Sequence, residues 1–120
     1  MGKFSFKKSE RLKSEKLIRE LFDKGTAFNV YPFRVIYMAN PGPNSNHQAL
    51  FTASTRNFKK AVDRNKIKRR TREAYRLNKG SLDETTKLLI GFVYTSKELL
   101  DYLQIEKAVV KALDKLKKAI

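Results

Sequence analysis

The sequence contains no cysteine, which excludes disulfide scaffolds, thiolate metal sites and thiol nucleophiles. Histidine occurs once, as His47 in the stretch NPGPNSNHQ, where it reads as an ordinary exposed loop residue. Acidic residues are few, 12 against 27 Lys and Arg, and they are scattered. Asp83 and Glu84 fall in the turn expected over GSLDETTK, so the pattern gathers no carboxylates of the kind a metallonuclease sets around two metals. Neither a nucleophile triad nor a phosphate-cradling glycine loop is present. No run approaches the ~18 apolar residues of a membrane span. The opening MGKFSFKKSERLK lacks the apolar core of a secretory signal, and Phe6 stands where myristoylation wants a hydroxyl. The expectation is a cytoplasmic protein without a membrane partner, with no catalytic and no metal-ligating residue of its own.

What is present is positive charge on a globular background. The 120 residues suit one domain, and 41% hydrophobic residues, with eight Phe and five Tyr, supply one modest core. A net charge of +15 repels itself in the compact state, so a polyanionic partner is expected, nucleic acid ahead of an anionic membrane surface.

Residues 1–10 read as a mobile basic arm. SEKLIRELFDKG reads as a helix capped by Ser14, with Leu17, Ile18, Leu21 and Phe22 on one face and Gly25 as its stop. TAFNV, FRVIYMA and ALFTAST read as strands, with Pro32 marking a break or an edge. LLIGFVYTS is apolar enough for a strand buried on both faces. The tail repeats Ile105, Val109, Ala112, Leu113, Leu116 and Ile120 at helical spacing. The order is α-β-β-β-α-β-α, an α+β sandwich with helices packed on a central mixed four-stranded sheet.

The charge concentrates in DRNKIKRRTREAYR, residues 63–76, where seven basic side chains face only Asp63 and Glu73. A helix from about Val62 to Asn78 puts Ile67, Thr71, Ala74, Tyr75 and Asn78 on one side. Asn65, Lys68, Arg69, Arg72 and Arg76 fall on another. Arginine forks suit phosphate oxygens, lysine adds diffuse charge, and Asn65 suits phosphate or a 2′-OH. A helix that only needed solubility would mix signs at i,i+4 spacing, and this one hardly does.

RNKIKRRTREAYR resembles the RNR motif, R-N-R-I-K-R-x-x-R-E, of the bacterial ribonuclease P protein subunit. Arg64, Asn65, Ile67, Lys68, Arg69 and Arg72 match, with Glu73 after them. The flanks RLKSEKLIRELFDKGTAF and FTASTRNFKKAVDRN are similar to that family's first helix and to the strand and basic linker before the motif. The likeness covers roughly residues 9 to 115. Lys66 stands where the motif has Arg, Ile18 where some relatives have an aromatic, and Thr55 where Lys is common.

The resemblance implies a ribosomal protein S5 domain 2-like fold with a left-handed β-α-β crossover, against the usual right-handed rule. It implies the protein component of an RNA-based endoribonuclease, a monomer within the ribonucleoprotein, whose catalytic groups belong to the RNA. The implied partners are the catalytic ribonuclease P RNA and precursor tRNA, with Mg²⁺ bound mainly by the RNA. The implied RNA-binding residues are Arg64, Asn65, Lys66, Lys68, Arg69, Arg72 and Arg76, with Arg56, Lys59 and Lys60 on the linker. A cleft between the first helix and the sheet would take the 5′ leader, lined by Phe22, Tyr37 and Ile18. The other reading is a structured-RNA binding module, such as a ribosomal protein, with no catalytic partner. On either reading, RNA affinity measured against salt should fall with a log–log slope of several units, and a flat response would remove the electrostatic argument.

Overall fold

The computed structural model describes residues 6–41, 46–82 and 86–119. The expected turn residues Asp83 and Glu84, the helical Ile120 and the first half of the expected arm lie outside the described residues. The elements are α1 (Glu15–Lys24), β1 (Thr26–Val30), β2 (Phe33–Ala39), β3 (Gln48–Ala53), α2 (Ala61–Asn78), β4 (Leu88–Tyr94) and α3 (Tyr102–Ala119). The order is the one expected, with short 3-10 turns added at Lys8–Glu10 and Lys79–Ser81.

The sheet runs β1-β2-β4-β3. β1 pairs antiparallel with β2, β2 antiparallel with β4, and β3 parallel with β4 through α2. Because side chains alternate across a sheet, this register sorts the strands onto two faces. Val30, Phe33, Val35, Ala49, Phe51, Ile90, Phe92 and Tyr94 share the face that α2 and α3 cover. Ile36, Leu50, Leu89, Gly91 and Val93 share the other, where α1 packs through Leu17, Ile18 and Leu21. β4 is central and is buried from both sides, as its unbroken apolar run requires.

A chain of rings ties the larger core together. Phe51 stacks on Phe92 at 5.7 Å, Tyr75 meets both, and Phe33, Tyr94 and Phe58 extend the contacts across the sheet. Phe6 joins it, 5.9 Å from Phe51 and 5.8 Å from Tyr75. The second half of the expected mobile arm is therefore docked. Arg11 and Lys79 lie over the Phe6 ring, and Glu10 pairs with Lys79. Burying one aromatic ring gains enough to order a short segment that polar composition alone would leave loose. His47 also departs from expectation: it is half-buried, and its Nδ1 accepts the Leu88 N–H at 3.1 Å at the start of β4.

Ser14 caps α1 by accepting the Leu17 N–H. Gly25 ends the helix for a reason other than the left-handed conformation expected of a C-terminal glycine. Its backbone is extended, and a Cβ there would lie 2.4 Å from the Leu21 carbonyl oxygen and 2.7 Å from Ile36 Cγ2. The chain must leave α1 flush against β2, and only a residue without a side chain fits. Gly25→Ala should cost about 1–3 kcal/mol in denaturant unfolding, whereas Gly80→Ala, which meets nothing within 4 Å, should cost nothing measurable.

Candidate nucleic-acid interface

α2 is anchored by Ile67, Thr71, Ala74 and Tyr75, all buried, as the spacing predicts. Thr71 Oγ1 donates to the Ile67 carbonyl at 2.8 Å, which satisfies its buried hydroxyl. Asn78 returns a bond to the Ala74 carbonyl. The opposite side carries Asn65, Arg69 and Arg72 in solvent, with Lys66 and Lys68 half-buried along its flanks.

The remaining arginines of the motif are committed inside the protein. Arg64 Nη1 donates to the Phe58 carbonyl at 2.7 Å and to the Lys59 carbonyl at 3.0 Å, so it fastens the incoming linker to the helix. Arg70 donates to the Leu100 carbonyl at 2.6 Å and ties α2 to the segment before α3. Arg76 pairs with Glu73 one turn back. That hydrogen bond is the main reason the Glu73 carboxyl is held below the usual glutamate range, with the charges of Arg76 and Arg72 adding to it and burial opposing. Nearby, burial and then the bond to Glu106 push the Tyr102 phenol up to about 12.

Phe58 is the anchor of the basic linker. It is buried against Tyr94, so Arg56, Lys59 and Lys60 stand outside it in solvent beside the start of α2. Lys60 supplies no side-chain cap, which leaves first-turn amides of α2 to water or to an anion. Arg56, Lys59, Lys60, Asn65, Lys68, Arg69 and Arg72 thus form one positive surface running from the linker along the helix.

The α1 face offers a second surface. Phe22 projects from α1 and is 47% exposed. It reaches over Gly91, where a Cβ would lie 4.0 Å from Phe22 Cζ and 3.4 Å from Leu21 Cδ2. Beyond Gly91 the register sets Arg34, Val93 and Thr52 in a row across β2, β4 and β3, all at least partly exposed. Ile18 belongs to the same side and is partly buried against the smaller core of Leu12, Leu21, Ile36 and Leu89.

Tyr37 does not join them. It faces the other side of the sheet, packed on the core under α2 and α3, with its ring 6.0 Å from Phe28. One-residue alternation along β2 decides this: Ile36 points to α1, so Tyr37 points away. The sequence reading missed Arg34, Gly91, Val93 and Thr52. The signal was available in the alternation of Arg34 and Ile36 against Phe33, Val35 and Tyr37, once α1 is assigned to the Ile36 face.

Among the described residues no group of three or more His, Cys, Asp or Glu could hold a metal ion. None of the described helices is long and apolar enough to cross a membrane.

A family model described as Ribonuclease P matches residues 6–117. A ribonuclease P protein component from Porphyromonas gingivalis is 38% identical over 92% of this chain and 85% of its own. One from Petrotoga mobilis is 34% identical over 93% and 95%. Among solved structures, the ribonuclease P protein of Thermotoga maritima superposes with a TM-score of 0.74 at 22% identity, over 88% of this chain and 96% of that one. That of Staphylococcus aureus gives 0.71 at 23% identity, over 91% and 95%. The two superpositions bear on the fold, and the sequence matches run nearly end to end: the chain belongs to the ribonuclease P protein family.

Proposed function

We propose that this chain is the protein subunit of a ribonuclease P ribonucleoprotein, binding the catalytic RNA and the 5′ leader of precursor tRNA during endonucleolytic 5′ maturation. The observation that carries the reading is α2. Its core-facing side is locked by Tyr75 and Ile67, and its outer side and flank set Lys68, Arg69 and Arg72 as an array of cations, with the neutral amide of Asn65 among them. Fixed cations bind a folded RNA at less entropic cost than mobile ones, and they offset repulsion where phosphates crowd. The catalytic groups belong to the RNA, and so does the Mg²⁺. This chain's part is to lower the Mg²⁺ needed by supplying charge at the same surface. The Phe22–Gly91 cleft, rimmed by Arg34 and Thr52, holds the leader, with the ring available to stack on a base and Arg34 on a phosphate.

Reconstitution with a bacterial ribonuclease P RNA at low Mg²⁺ tests this. The chain alone should leave precursor tRNA intact, and adding it to the RNA should strongly raise cleavage. Cleavage by the chain alone would make it a nuclease in its own right. Failure to stimulate would leave the structured-RNA binding module.

Lys68, Arg69 and Arg72 changed singly to Ala should each alter folding stability by less than about 0.5 kcal/mol. Each should lower low-Mg²⁺ activity, and added Mg²⁺ should restore it. Arg64→Ala should behave differently, losing more than about 1 kcal/mol in unfolding, because two carbonyls lose their donor. For the cleft, Phe22→Leu should weaken the leader-dependent part of binding by about 1–3 kcal/mol. Binding of mature tRNA should not change. Tyr37→Phe, on the other face, should leave leader discrimination intact.

A further inference from the structure

A groove of about 320 Å³ lies between the β1–β2 turn and α3, lined by Asn29, Tyr31, Gln104, Lys107, Lys111 and Lys115 over a floor of Val30 and Ala108. It is separate from both surfaces above. α3 lies nearest β1 and α2 nearest β3, and these strands are the two opposite edges of the sheet.

Three features mark it. Lys107, Lys111 and Lys115 recur every four residues, so their charges follow one side of the helix about 6 Å apart along its axis. Like charges at this spacing destabilise a helix. Among the described residues none of the three makes an ion pair; the exposed Asp114 on the same helix pairs with none of them. Lys115 instead lies over the Phe28 ring at 5.6 Å. At the rim, Tyr31 is 65% exposed, and its hydroxyl is fixed at 3.1 Å from Ser96 Oγ. That bond sets the ring's direction and leaves its face open.

A row of point charges spaced along a line matches a linear polyanion better than a single anion. An oriented exposed ring beside the row suits an unpaired base. Lysine ammonium groups, unlike arginine forks, contact phosphates without demanding one geometry. The concave form, with its apolar floor of Val30 and Ala108 already buried, fits a strand laid along it better than a flat lipid surface. We propose that this groove is a third RNA-binding site, which takes a single-stranded segment with its phosphates along Lys107, Lys111 and Lys115 and a base on Tyr31. The proposal rests on the RNA-binding role argued above and adds a surface on the far edge of the sheet from α2.

The test uses the full chain and a single-stranded RNA oligonucleotide, with affinity measured against salt. Changing Lys107, Lys111 and Lys115 together to Gln should lower the log–log salt slope by about 2 units, since each lost single-strand phosphate contact accounts for about 0.7. The same three positions changed to Arg should keep the slope. Tyr31→Ala should weaken binding at least about fivefold with the slope unchanged, and Tyr31→Phe, which keeps the stacking face and loses only the bond to Ser96, should weaken it less. A parallel variant with Lys68, Arg69 and Arg72 changed to Gln separates the two surfaces. If that variant loses slope and the α3 variant does not, the groove is no RNA site and the α2 reading stands. If neither loses slope, both fail. Full binding by Tyr31→Ala, or loss in the α3 variant of binding to phosphatidylserine vesicles but not to RNA, would also overturn the assignment.

Discussion

The charged face of α2 depends on one apolar cluster, the burial of Tyr75 against Phe51, Phe92 and Phe6. α2 carries more like charge than a free helix tolerates, and its own side-chain pairs do little to relieve it. The ring holds the helix by its inner side, so the repulsion is directed outward and cannot be relaxed by unwinding. The same cluster receives β3 through Phe51, β4 through Phe92 and the N-terminal segment through Phe6. Loosening Tyr75 would therefore disturb the sheet, the helix and the docked segment together.

Within α2, geometry divides chemically similar side chains into two kinds. Arg64, Arg70 and Arg76 spend hydrogen bonds on Phe58, Lys59, Leu100 and Glu73, and so build the platform. Arg69 and Arg72 stand in solvent on the helix side opposite the anchor. For Arg64 and Arg70 the difference is angular: they lie at the border of the buried stripe and find backbone carbonyls within reach, whereas Arg69 and Arg72 on the far side face solvent. Arg76 shares that far side and is held instead by Glu73 one turn back. An RNR-type motif thus reads as structure and interface interleaved.

The element order and the buried side of α2 were legible in the sequence because both follow from periodicity, and Ile67, Thr71, Ala74 and Tyr75 show it plainly. The limits of β1 and β2 were equally legible, since Gly25 and Pro32 bracket them. What escaped depended on distant partners. His47 meets Leu88, and Arg70 meets Leu100, each across an interval that no local pattern encodes. The docking of Phe6 required knowing that Phe51 and Tyr75 would converge. Tyr37 was misplaced for a different reason. An alternating strand between two helix layers has two apolar faces, and composition does not say which layer each will meet.

Gly91 sets the depth of the α1-side cleft. A methyl group there would touch Leu21 at 3.4 Å and Phe22 at 4.0 Å, which is ordinary contact and no clash. Alanine is therefore sterically admissible at the centre of β4, yet it would raise the cleft floor by the thickness of one methyl. The calibre of the channel and the stability of the sheet are thus nearly independent at this position. A chain of this fold has a route to a shallower or deeper channel through a single codon, without repacking the core that carries α2.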